Sequence, residues 1–183
     1  MDRRTRLTEA ALDYVLDHGL IGLSLRPLAA ALGTSDRMLV YHFGSKEQLV
    51  TDIVALANQQ VSTALEADPV EVASVGELVR YAWEVLAAPG GGAMLLYLEL
   101  CVLTARDRER WAATQEQLRG PWLEMLRGAL HALGVAATRV PALADLLLDG
   151  IDGLLLHRMV ADPAGADAAA AEFAHLFDAA GFR

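Results

Sequence analysis

At 183 residues, 54% of them hydrophobic and with a mean hydropathy of +0.30, the chain can bury a sizeable core and is too apolar to stay disordered. Its formal charge of −9 argues against a nucleic-acid partner only until it is divided: residues 1–50 hold six Arg/Lys and six Asp/Glu, so the whole acidic excess lies in 51–183. A single cysteine, Cys101, excludes an intramolecular disulfide and fits a reducing cytoplasm, and the mixed-charge N-terminus lacks the apolar run of a secretory leader.

Leu7, Ala10, Ala11, Tyr14 and Val15 recur at helical spacing, and Gly19 is a natural stop, which predicts a first helix. Ser24 stands where it can cap a second helix, whose first turn tolerates Pro27 because amides there have no intrahelical acceptor. Leu25, Leu28, Ala29 and Leu32 form its buried stripe, and Gly33 ends it. A third short helix follows at once, which makes a helix-turn-helix. At roughly 100° per residue, Leu39, Val40 and Phe43 share the anchoring side of this helix, and Arg37, Met38, Tyr41 and His42 face outward. That outward set suits a DNA groove: arginine can fork onto guanine, while a phenol and an imidazole can reach phosphate oxygens.

Ser45 with Gln48 three residues on reads as a capping box, so a fourth helix starts there and runs to about Leu65, with Leu49, Ile53, Leu56 and Ala57 on one face. Lys46, the only lysine, sits in its first turn, where a cation opposes the helix dipole and a DNA phosphate would offset the cost. Asp68-Pro69 breaks the pattern. Val72–Ala87 is expected as the next helix, stopped by the run from Ala88 to Gly92, and Ala93–Ala105 as an interior helix apolar but for Glu99. The charged run Arg106–Arg110 leads toward solvent. Helical pattern then continues to Leu118, is bent or broken at Gly120-Pro121 and resumes to Leu133.

Pro141–Val160 is the strongest late helix, too rich in aspartate to span a membrane; Asp145, Asp149 and Asp152 are expected to form a solvated face rather than a metal site. Ala168–Ala180 closes the chain, with a stripe that includes Phe173, Leu176 and Phe177. No strand signal appears, so the fold class is all-α.

Gly33-Thr34-Ser35, Leu39, Tyr41-His42-Phe43 and Ser45 through Leu49, with Leu28-Ala29 before them, resemble the DNA-binding domain of the TetR family of transcriptional regulators. The resemblance covers a little over a quarter of the chain. Where that family usually has a small residue this chain has Arg37, and where it has tyrosine this chain has Val40, so no operator sequence carries over. It implies an N-terminal three-helix DNA-binding domain over 1–48 and an all-helical ligand-binding and dimerisation domain over 49–183. The residues expected at DNA are then Ser24, Arg26, Thr34, Ser35, Arg37, Met38, Tyr41, His42 and Lys46.

Further expectations follow for the second domain. Trp83, Leu96, Tyr97, Glu99, Leu100, Leu103 and Trp122 are the candidate ligand-facing set, weighed against their use as ordinary core. Glu84 and Glu99 in apolar helices point to an unknown small-molecule effector that is apolar, cationic ones included. Glu99 has bland readings too: pairing with an internal arginine, or an exposed edge. Leu143, Leu146, Leu147, Gly150, Leu154, Phe173, Leu176 and Phe177 are the expected homodimer surface, with Gly150 admitting a second backbone.

The five histidines are scattered, and there is no nucleophile elbow, phosphate loop or paired metal motif, so no enzyme, cofactor or metal is expected. The reading is a ligand-responsive repressor of a pseudo-palindromic double-stranded operator. The alternative is an architectural DNA-binding protein with no small-molecule switch.

Overall fold

The computed structural model describes residues 2–67, 70–88 and 92–181, and among them every regular element is an α-helix. In chain order these are α1 (Arg3–His18), α2 (Leu25–Ala31), α3 (Asp36–Phe43), α4 (Lys46–Ala67), α5 (Val75–Leu86), α6 (Gly92–Arg106), α7 (Arg108–Ala132), α8 (Val140–Val160) and α9 (Pro163–Ala180). No helix of the described residues is long and apolar enough to cross a membrane.

The helix starts are set by side chains that accept from otherwise orphaned amides. Asp2 accepts from Thr5 N at 2.8 Å, Ser35 from Met38 N at 3.2 Å, Ser45 from Gln48 N at 3.0 Å, and Ser74 from Glu77 N at 3.1 Å. The Ser45 box is made on one side only, because the Gln48 amide turns forward to Asp52 Oδ1 at 2.8 Å. Asp162 caps α9, accepting from Ala164 N and Gly165 N, so this helix begins five residues before the alanine run that announced it. Of the bend or break expected at Gly120-Pro121, the break does not occur: α7 runs unbroken through Pro121. The breaks expected at Asp68-Pro69 and at Pro89–Gly91 lie outside the described residues.

The chain divides into two compact units, the first made of residues 1–63 and 92–118, the second of 64–91 and 119–183. The first is centred on Leu12, Val15, Leu28, Leu39, Leu49 and Ile53, and α6 and α7 add Leu96, Leu100, Trp111 and Leu118 to that core. The helix-turn-helix therefore does not pack alone. The second unit wraps α5, α8, α9 and the later part of α7 around Val79, Leu130, Val140, Leu147 and Ala174. Burying a leucine side chain contributes about 2 kcal/mol, so each such core is substantial on its own.

Candidate nucleic-acid interface

The helix-turn-helix is built from α2 and α3. Thr34 N donates to Ala29 O at 2.9 Å and Gly33 takes a positive φ of 63°, which closes α2 and redirects the chain into α3. Leu39 and Phe43 then anchor α3 in the core. Val40, expected to share that side, is instead 44% exposed: it lies about 60° round the helix from Phe43, off the Leu39–Phe43 line that meets the core. It joins Arg37 and Tyr41, the latter 77% exposed, on the outward face. Sequence reading had assigned Val40 inward; the tyrosine that the resembled family has there was the signal for an outward position.

The other expected DNA residues differ in how free their polar groups are. Arg26 and Arg37 are exposed and in no ion pair among the described residues, so their guanidinium forks are available. Ser24 is exposed at the start of α2 and makes no side-chain capping bond, for which the cause is local: Pro27 holds the third helical position, where the usual N–H donor would be. Ser35 is used as the α3 cap, and Thr34 and Met38 are half-buried beside it.

His42 and Lys46 stand less freely than the sequence implied. The His42 ring meets Tyr41 edge-on at 5.2 Å, and its Nε2 is shielded from solvent without a hydrogen-bond partner among the described residues. Lys46 folds back so that its ammonium donates to Leu23 O, just ahead of α2. Burial lowers its pKa, and nearby Arg110 lowers it further against the opposing pull of Glu47. An ammonium has three donors, and one is taken here.

The frame behind this surface is cross-linked. Arg4 of α1 binds Asp52 of α4 through Nε and Nη2 at 2.9 and 2.6 Å, with its guanidinium 5.3 Å from the Phe43 ring centre. Glu99 of α6 accepts from Leu20 N, and at 3.4 Å from Ile21 N, in the α1–α2 turn. Its partner is thus backbone, which neither an arginine pairing nor an exposed edge had foreseen. Gly19 makes room for it: φ is +80°, and a Cβ there would stand 2.8 Å from Glu99 Oε1.

The other expected ligand-facing residues have mixed surroundings. Leu96 and Leu100 are fully buried in the first core and Leu103 packs against it, with Tyr97 half-buried on the same helix. In the second unit Trp83 donates from Nε1 to Asp167 at 3.1 Å, and Trp122 is half-buried. Glu84, read as embedded, is exposed.

On the expected dimer surface Leu143, Leu147 and Phe177 are buried in their own chain's core, and Leu154 is half-buried. The space at Gly150 is filled from within by the half-buried Phe173. Leu146 and Leu176, at 53% and 57% exposure, remain outward. The Asp145 and Asp149 side chains are more than half exposed, and Arg119 bridges them at 3.3 Å and 2.7 Å. No cluster of three or more potential metal ligands occurs among the described residues.

Comparison with known proteins bears on this site. Residues 7–53 match the family model described as bacterial regulatory proteins, tetR family. Among solved structures, the multidrug binding protein EbrR complexed with imidazole is 26% identical, with 94% of each chain covered and a TM-score of 0.65. Its complex with ethidium matches at 25% identity over 88% of this chain and 90% of that one, with a TM-score of 0.68. A putative TetR-family regulator from Rhodococcus sp. shares the fold at a TM-score of 0.76 and 16% identity, over 96% of this chain and 97% of that one. A sequence comparison with curated proteins found no match.

Proposed function

We propose, for a DNA-binding transcriptional regulator whose first domain is that of the tetR family of bacterial regulatory proteins, the role of a dimeric, effector-released repressor. The observation that carries the DNA reading is the outward face of α3, where Arg37, Val40 and Tyr41 stand exposed on a helix capped by Ser35 and anchored by Leu39 and Phe43. In a major groove, Arg37 would read guanine and Val40 would pack on a thymine methyl, with Tyr41, Ser24 and Lys46 on phosphates. Two such helices related by a two-fold axis match a pseudo-palindromic operator, with half-sites about one helical turn apart.

The effector class rests on the EbrR neighbours, described as multidrug binding and complexed with imidazole and with ethidium, a planar organic cation. An apolar, aromatic effector, cations included, is the corresponding proposal here, with Trp83, Tyr97 and Trp122 as the aromatic groups to test against it. Release of DNA then requires only that the effector bind one of two conformations more tightly. An intracellular, cytoplasmic location follows from the role.

Selection of binding sites from a random duplex library tests the reading. A two-fold symmetric site should emerge, and Arg37→Ala should cost about 1–3 kcal/mol on it while flattening preference at one base pair per half-site. Ethidium titrated into the complex should release the DNA. An unchanged site preference in Arg37→Ala would sink direct readout by that residue, and DNA release by no aromatic cation or neutral analogue would favour the switchless architectural protein.

A further inference from the structure

Three of the nine arginines outside the first fifty residues fall within five positions, Arg106, Arg108 and Arg110, at the corner between α6 and α7. The corner lies at a defined place on the first unit. Arg110 donates from Nε to Glu47 Oε1 at 2.7 Å, and four residues further along each helix Thr51 and Thr114 share a buried hydroxyl contact at 2.8 Å. Equal steps in the same direction mean that α4 and α7 run parallel with their N-termini level. The N-terminus of α4 is where Lys46 sits, three positions after α3 ends. The α6–α7 corner is therefore beside the N-terminus of α4, where Lys46 reaches back to Leu23 just ahead of the helix-turn-helix.

The charges at this corner are not used up in holding the fold. Arg110 is fixed, between Glu47 and the ring of buried Trp111 5.2 Å away. Arg106 and Arg108 are exposed and in no ion pair among the described residues. Asp107 is spent as the α7 cap, accepting from Arg110 N at 3.2 Å. Arg108 is the first residue of α7, a position where a cation opposes the helix dipole, as Lys46 does at the start of α4. Two cations placed against the dipole at adjacent, level helix ends would both be relieved by one kind of neighbour, a polyanion lying across that edge.

The geometry points to the α6–α7 corner as a second phosphate-contacting surface: Arg106 and Arg108 meet the DNA backbone flanking the groove that α3 enters. This rests on the DNA reading proposed above and extends it, because the contacts come from helices outside the helix-turn-helix and lengthen each half-site's footprint. Phosphate contacts position a protein without reading sequence, so the corner would add affinity and not preference.

The test measures binding to the selected site against salt for wild type, for Arg106→Ala/Arg108→Ala and for Arg108→Glu. Each lost phosphate contact reduces the slope of log affinity on log salt by about 0.9, so the double variant should be shallower by about 1.8 per protomer with unchanged base preference. Arg108→Glu should bind more weakly than wild type at every salt concentration. Hydroxyl-radical footprints of the double variant should lose protection on the flanks. Wild-type binding with an unchanged slope and footprint in a folded double variant, as judged by circular dichroism, would overturn the corner alone. A wild-type chain with no salt-dependent DNA binding would overturn the regulator reading itself.

Discussion

Phe173 of α9 lies against the bare backbone of Gly150 on α8, so closely that a Cβ at position 150 would stand 2.9 Å from the ring's Cε1 and nearer still to Cζ. The ring cannot step aside freely, because it packs edge-on against Phe177 with centroids 4.9 Å apart. Gly150→Ala trades the helix-propensity gain of alanine, about 1 kcal/mol, against overpacking of about 1–3 kcal/mol. The expected outcome is a net loss of about 1 kcal/mol, read by urea unfolding. A variant more stable than wild type would show that the ring moves at no cost.

Glu99 should prove to be a stability residue for the α1–α2 turn. Its carboxylate accepts from the amide of Leu20, whose side chain is buried, so Glu99→Ala leaves that N–H without its acceptor. An unmet donor of this kind costs about 1–3 kcal/mol. Amide exchange at Leu20 and Ile21 should accelerate in Glu99→Ala and much less in Glu99→Gln, which keeps a carbonyl oxygen. Equal protection in all three proteins would show that the Glu99 carboxylate does not hold this turn.

For the dimer, exposure separates two adjacent leucines. Leu147 is 1% exposed and Leu146 is 53% exposed. Leu146, Gly153, Leu156 and Val160 follow one line along α8, and a Cβ at Gly153 would meet nothing within 4 Å, so a second copy's backbone has room to approach there. Leu146→Glu/Leu156→Glu should therefore give folded monomers by light scattering, with binding to single half-sites only. Leu147→Glu should instead unfold the second unit, since a buried unpaired carboxylate costs several kcal/mol. A double variant still dimeric would move the interface off this line.

Acid should loosen the α5–α9 contact. The Ser74 hydroxyl, at 2.7 Å, and the Arg80 guanidinium, at 2.9 Å, hold the Asp178 carboxyl below its ordinary value of 3.8. A depressed carboxylate pKa favours the folded state fully above the unfolded value and is lost as pH falls through the folded one. Wild type should thus be more stable than Asp178→Asn at neutral pH, with the difference shrinking below about pH 4. A gap constant down to pH 2 would show that the charge itself contributes nothing.

The local order of this protein was legible in its residues. Helical periodicity, the Ser45 position and the glycine stops place α1 to α3 and the start of α4 where they occur, since those signals act within one or two turns of backbone. The outward placement of Arg37 and Tyr41 followed from the same short-range geometry. Which apolar stripe is covered, and by what, was decided only in three dimensions. Val40 faces outward because only the Leu39 and Phe43 side of α3 is covered, Gly150 is closed by a ring 23 positions away in sequence, and Glu99 ends on amides 79 and 78 positions before it. Periodicity reports the angle of a residue about its own helix axis. The neighbour that fills that angle is set by packing between helices distant along the chain, and no local pattern carries it.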